Sequence, residues 1–155
     1  MDQRIFFQGD RAHRMNQELH SADLKPGVSV RRRYTVDESR TIKHMGSDLA
    51  VYSTPSMVHD VEQTCHELLE PYLAAGNSTV GTRVEIDHMA PTPAGAWVEI
   101  CAEVVAIDGR RVTMEAVITD AVEQVGRCRH NRFIVDSAKT AERLAQKKNK
   151  MDKTA

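Results

Sequence analysis

Residues 53–73 read STPSMVHDVEQTCHELLEPYL, and the spacing of side chains in this stretch decides the fold. A hydroxyl residue followed by proline is a helix start: Ser or Thr caps the first free N–H groups, and Pro at the first helical position loses no hydrogen bond. Gly76-Asn77 is a stop signal, so one helix is predicted over residues 54–75. At about 100° per residue, Met57, Val58, Val61, Cys65, Leu68, Leu69, Tyr72 and Leu73 fill one apolar arc. His59, Asp60, Gln63, Thr64, His66, Glu67 and Glu70 fall on the polar side. Glu62 breaks the pattern, lying between Leu69 and Leu73 inside the arc near its edge. A carboxylate there must reach solvent at the rim, find a cation, or take a raised pKa. Carboxylates in that position gather at functional sites and in structural ion pairs alike.

Outward from the helix the pattern is that of strands. Residues 28–36 alternate, 41–50 are irregular, and four further strands are expected over 80–89, 97–107, 111–120 and 125–135. Asp108-Gly109 marks a two-residue hairpin turn between the middle two. Val98, Ile100, Ala102 and Val104 share a face, as do Val112, Met114, Ala116 and Ile118. Those faces need a cover, and the single long helix is the candidate. An α+β class follows: an antiparallel sheet wrapped around one central helix, the hot-dog architecture.

Composition narrows the classes. The chain has 155 residues, 21 basic and 22 acidic side chains and a net charge of −1, too balanced for a general nucleic-acid binder. Arg31-Arg32-Arg33 is too short and isolated to change that. No apolar run approaches the roughly 18 residues of a membrane helix. Cys65, Cys101 and Cys128 are odd in number and widely spaced, which indicates neither a disulfide framework nor zinc; reduced thiols in a cytoplasmic protein are expected. His66-Glu67 lacks the second His of a zinc-protease motif, and no Gly-rich phosphate loop occurs, so no metal or redox cofactor is expected. One domain is expected over residues 26–136. Residues 1–25 read as an extension or leader. Residues 137–155 form a basic tail carrying net +4, either a solvated or frayed end or a contact for anionic ligands.

Two more residues invite attention, each with two readings. Thr54 is the helix cap, or Ser53 caps and the Thr54 hydroxyl is free beside the positive end of the helix dipole. His88 ends a strand before Ala90-Pro91-Thr92-Pro93, as a structural side chain or as a proton carrier.

Thr54-Pro55-Ser56-Met57-Val58 with Glu62, then Glu70-Pro71-Tyr72-Leu73, Gly76, Val80-Gly81-Thr82, His88-Met89-Ala90-Pro91-Thr92-Pro93, Gly109-Arg110-Arg111, Gly126 and His130-Asn131-Arg132 together resemble the fluoroacetyl-CoA thioesterase family of hot-dog proteins. The resemblance runs from about residue 28 to 135. It implies a Thr–Glu–His catalytic set at Thr54, Glu62 and His88. It also implies a homodimer, alone or paired into tetramers, with its site at the subunit interface and Gly81 lining it. Arg132 matches an arginine that the family keeps near the site, and Gly81, Arg132 and His130 are the expected substrate-binding residues. The family's fluoroacetyl-specific enzyme closes its acyl pocket with phenylalanines; here residues 45–50 read Met-Gly-Ser-Asp-Leu-Ala with no Phe. The expected acyl group is therefore one other than fluoroacetyl.

These side chains suit hydrolysis of an acyl-CoA or acyl-carrier thioester. Glu62 could activate water or attack the carbonyl, His88 could take and return a proton, and Thr54 could attack or orient. Backbone N–H groups near Gly81 or the helix start could hold the oxyanion. Arg132, Arg110, Arg111 and the C-terminal lysines are candidates for the phosphates of CoA, which is a substrate and not a cofactor. Two rivals stand beside this reading: a non-catalytic hot-dog module that binds an acyl-thioester or small hydrophobic ligand, and a hot-dog lyase or other tailoring enzyme of a biosynthetic pathway.

Overall fold

The computed structural model describes residues 19–154. Five strands form one antiparallel sheet: β1 (Ser29–Thr35), β5 (Trp97–Asp108), β6 (Arg111–Thr119), β7 (Gln124–Asp136) and β4 (Asn77–His88), in that spatial order. A short ribbon, β2 (Thr41–Ile42) with β3 (Val51–Tyr52), precedes helix α1 (Thr54–Leu69). Helix α2 (Ser137–Asp152) ends the chain. The α+β hot-dog expectation is met: α1 lies in the sheet's concave face, which buries Ile100, Ala102, Val104, Met114, Ala116 and Ile118 against Met57, Val61, Cys65 and Leu69. Registers Ile100↔Ile118, Ala102↔Ala116 and Val104↔Met114 put the expected faces side by side.

Three local expectations shift. Helix α1 ends at Leu69 and not near residue 75, continuing as a 3-10 turn over Glu70–Tyr72. Pro71 is the reason, because it has no N–H to donate back along the helix. In the β5–β6 hairpin Asp108 pairs with Arg111, so the two-residue turn is Gly109-Arg110, one residue later than expected. Gly109 there takes φ +57°, while no non-glycine residue among those described has positive φ. Thirdly, Asp60 and Thr64, on the polar side of the helical wheel, are buried. The aperiodic segment between β1 and α1 folds over them, and Tyr34 and Arg40 reach in to meet them.

Most of the expected N-terminal extension, residues 1–18, lies outside the described residues. Residues 19–25 pack on the domain: Leu19 and Leu24 are buried, and Ala74 N–H donates to the Leu19 carbonyl. At the other end the basic stretch is helical. Asp136 caps α2 by accepting from Lys139 N–H, and the helix buries none of its residues. The Arg31–Arg33 run is spent on ion pairs, Arg31 and Arg33 with Glu99 and Arg32 with Glu67, while Arg33 also stacks 3.8 Å over Trp97.

Candidate active site

The start of α1 settles which hydroxyl is the cap. Ser53 Oγ accepts from Ser56 N–H at 3.1 Å, a bond that stabilises the helix by about 1 kcal/mol. Thr54 is thereby free, and its Oγ1 lies 2.8 Å from His88 Nδ1 at the end of β4. Burial pushes the His88 pKa below the usual imidazole value, so the ring is neutral at pH 7. A neutral ring with Nδ1 accepting from Thr54 carries its proton on Nε2, a buried atom with no protein partner. Tyr52 packs against the ring at 6.1 Å between centroids, inclined at 65°. Next to the pair opens a cavity of about 290 Å³ walled by Ile42, Val51, Met89, Ala90 and Pro91.

Two turns along the same helix stands Glu62. Its carboxylate is 39% exposed, and Oε2 accepts from Arg132 Nη1 at 3.3 Å, so the rim and ion-pair readings both hold. Arg132 is fixed from every side: Nε donates to Thr79 Oγ1 and Nη2 to the Thr79 carbonyl, each at 3.0 Å. His130 completes the cluster. Its Nδ1 lies 2.8 Å from the Arg83 carbonyl and must be the donor there, which leaves Nε2 as acceptor for Arg132 Nη1 at 3.2 Å. Burial lowers the His130 pKa, in keeping with that neutral tautomer. Gly81 supplies clearance: a Cβ on it would sit 2.5 Å from Glu62 Oε2 and 3.1 Å from His130 Cε1. The sheet bulges at this point, between Gly81 and Arg83. Beyond the carboxylate is a groove of about 490 Å³ lined by Val58, His59, Gln63 and His66.

The expected residues therefore fall into two groups. Thr54 meets His88, and Glu62 meets Gly81, His130 and Arg132. No hydrogen bond or ion pair among the described residues joins Glu62 to Thr54 or His88. The eight residues from Thr54 to Glu62 correspond to a rise of about 12 Å along the helix axis. Arg132 and His130 are buried, and both face the Glu62 carboxylate. Arg110 donates to the Ile134 carbonyl and Arg111 pairs with Asp108, which leaves the cations of α2 as the freer ones. Sequence reasoning missed Asp60 and its partners Arg40 and Tyr52. No periodicity marks the segment that buries them.

Among the described residues no three His, Cys, Asp or Glu side chains cluster so as to hold a metal ion, and no helix is long and apolar enough to cross a membrane. Burial pushes the Cys65 thiol up to about 12 and the Cys128 thiol to about 11, which keeps both protonated.

Comparison with known proteins agrees with this fold. The family model described as fluoroacetyl-CoA-specific thioesterase matches residues 36–138. The fluoroacetyl-CoA thioesterase of Streptantibioticus cattleyicolor is 29% identical over 135 residues, covering 80% of this chain and 97% of that protein. A solved structure of a fluoroacetyl-CoA thioesterase superposes with a TM-score of 0.73 at 27% identity, again over 80% and 97% of the two chains. A thioesterase-superfamily member from Thermus thermophilus shares the fold, with a TM-score of 0.77 at 23% identity over 83% and 96%. With its hot-dog sheet, its helix and most of its length matched, the chain belongs to the fluoroacetyl-CoA thioesterase family of hot-dog proteins.

Proposed function

We propose that this protein hydrolyses acyl-CoA thioesters at a site built from two copies of the chain. Thr54 and His88 come from one protomer and Glu62 from its partner. The observation that carries the reading is the 2.8 Å contact between Thr54 Oγ1 and a neutral His88 at the mouth of an apolar cavity. Hydrolysis breaks the C–S bond, forms a C–O bond to water, and delivers a proton to the departing thiolate. Glu62, held in place by Arg132, takes the proton from the attacking water. Thr54, its hydroxyl turned from His88 to the substrate, orients the carbonyl at the positive end of the α1 dipole, and the proton that Glu62 took from water passes by way of His88 to the sulfur as the C–S bond breaks. The His88 Nε2 atom has no carboxylate behind it, so an imidazolium would be poorly stabilised. That favours Thr54 as an orienting group over Thr54 as nucleophile.

The second copy is favoured by the position of β4. It is an edge strand of twelve residues with one side unpaired in the sheet, and it carries His88 at one end and Gly81 seven residues away. Antiparallel pairing of two such edges about a two-fold axis brings the His88 end of one protomer beside the Gly81 end of its partner, a few strand residues at about 3.3 Å each being all that must be matched. The acyl group is taken to be apolar and other than fluoroacetyl, because the cavity is walled by Ile42, Val51, Met89, Ala90 and Pro91 and residues 45–50 contain no Phe. Exposed cations on α2, such as Lys139 and Arg143, are the proposed contacts for the carrier's phosphates. Three free cysteines suit a reducing compartment, and the cytoplasm is the proposed location.

Thiol release from a panel of acyl-CoA thioesters, short to aromatic, tests the reading. Wild type should turn over, and Thr54→Ala, Glu62→Gln and His88→Ala should each lose roughly 10²–10⁴-fold while remaining folded. Ligand-induced stabilisation without turnover would instead point to a binding module. Product that keeps its thioester would point to a lyase.

A further inference from the structure

Asp60 is a carboxylate with 1% exposure in the middle of α1, on the turn between Thr54 and Glu62. Burying an ion costs several kcal/mol unless it is paired and hydrogen-bonded. Here three neighbours converge on it. Arg40 Nε lies 3.0 Å from Oδ2 and 3.3 Å from Oδ1, Tyr52 OH donates to Oδ2 at 2.8 Å, and His59 Nδ1 lies 3.3 Å from Oδ1. Arg40 is tied in turn to Asp37 at 2.9 Å. Nothing in the hydrolysis scheme above uses this group.

What it holds is more informative than how it is satisfied. Arg40 immediately precedes β2 and Tyr52 ends β3, so the two side chains stand at the entrance and exit of the 41–52 loop. That loop contributes Ile42, Val51 and Tyr52 to the wall of the Thr54–His88 cavity. Backbone bonds close the same stem: Ser53 N–H donates to the Arg40 carbonyl at 2.9 Å and Tyr52 N–H to the Thr92 carbonyl at 2.8 Å. Tyr52 is 1% exposed, with its ring against His88 and its hydroxyl on Asp60. We infer that Asp60 is a positioning residue: its carboxylate clamps both stems of the cavity loop and, through Tyr52, sets the ring of His88 against Thr54. A displacement of an ångström at such a contact costs far more rate than stability.

Tyr34 provides the control. It also reaches α1, with its hydroxyl 2.9 Å from Thr64 Oγ1 and 3.3 Å from the Asp60 carbonyl; its ring lies 5.3 Å under the Arg40 guanidinium, a contact that Tyr34→Phe keeps, and its hydroxyl bonds to neither loop stem nor to His88. The experiment compares full-length Tyr52→Phe, Asp60→Asn, their double variant and Tyr34→Phe. It reads kcat and KM for thiol release, and the imidazole resonances of His88 assigned by their loss in His88→Gln. Tyr52→Phe and Asp60→Asn should lower kcat roughly tenfold with little change in KM, and the double variant should match the single ones. Both should move the His88 resonances, and Tyr34→Phe should change neither readout. Equal losses in Tyr34→Phe and Tyr52→Phe, or His88 resonances in Tyr52→Phe that overlay the wild type, would overturn the inference. The activity arm rests on the hydrolase reading. If wild type turns over no thioester, that reading fails and the resonances alone decide the positioning role. If Asp60→Asn does not fold, Tyr52→Phe, which removes one hydroxyl, still decides it.

Discussion

The start and the middle of α1 hold their proposed site groups by opposite means. At the N-terminus Thr54 is exposed, His88 is half-buried, and one hydrogen bond links them beside aliphatic walls. Two turns on, Glu62 is gripped by a guanidinium that has no freedom left, with Thr79, His130 and the Glu62 backbone carbonyl all on the same Arg132 side chain. The first arrangement leaves hydroxyl and imidazole available to a substrate. The second fixes the direction of a charge while leaving the carboxylate at the surface. Under the proposed hydrolysis, the groups that exchange partners are the loosely held ones, and the group that must aim is held through a buried anchor.

Removing the anchor should have the largest effect. Arg132→Met takes away the cation of Glu62 and strands the Thr79 carbonyl and His130 Nε2. A loss of about 2–3 kcal/mol is expected, at the low end for a broken pair because Glu62 is partly exposed, and it should appear as a lower Tm together with lost thiol release. Unchanged Tm would mean that the Glu62 cluster is no more tightly built than the Thr54–His88 pair. Gly81→Ala sharpens the contrast with a smaller change. The added methyl must push Glu62 aside, so activity should fall roughly tenfold for about 1 kcal/mol of stability, whereas glycine-to-alanine exchange at Gly126 would press on Met57 and register chiefly as instability.

The third effect is a pH dependence at the Thr54 end. With the His88 pKa below the usual 6.5, the neutral ring persists into mildly acidic solution, and the acid limb of kcat/KM should fall below pH 6.5. The sign for stability follows from the same depression. Between the folded and unfolded pKa values the unfolded chain binds more protons, so stability is full above about 6.5 and declines as pH drops through the folded value. His130 adds to the same trend. Denaturant titrations at pH 7.5 and 5.5 measure it, and greater stability at the lower pH would contradict the assignment of both rings as buried and neutral.

Much of this was legible in the sequence wherever a period was. Alternation along β5 and β6 named the buried faces, and the wheel angle of Glu62 flagged it at the rim of the apolar arc. The choice between Ser53 and Thr54 as cap depends on one side-chain torsion, which residue types do not report. Arg132 entered only through family resemblance, because its contact with Glu62 depends on β4–β7 pairing some seventy residues along the chain. Asp60 falls on the polar face of the wheel because its cover, the segment around Arg40 and Tyr52, has no period to read. The helix stops short of Gly76 for a local reason, the missing N–H of Pro71.

The central claim, that Glu62 of one protomer serves Thr54 and His88 of another, is tested most directly by mixing two inactive chains. His88→Ala and Glu62→Gln proteins, unfolded together and refolded at equal concentration, form mixed dimers in which one site carries both substitutions and the other carries neither. A shared site predicts recovery of about a quarter of wild-type thiol release, since half the dimers are mixed and each has one intact site. If mixed dimers form and the mixture stays as inactive as its components, each site is confined to a single chain and the claim is wrong.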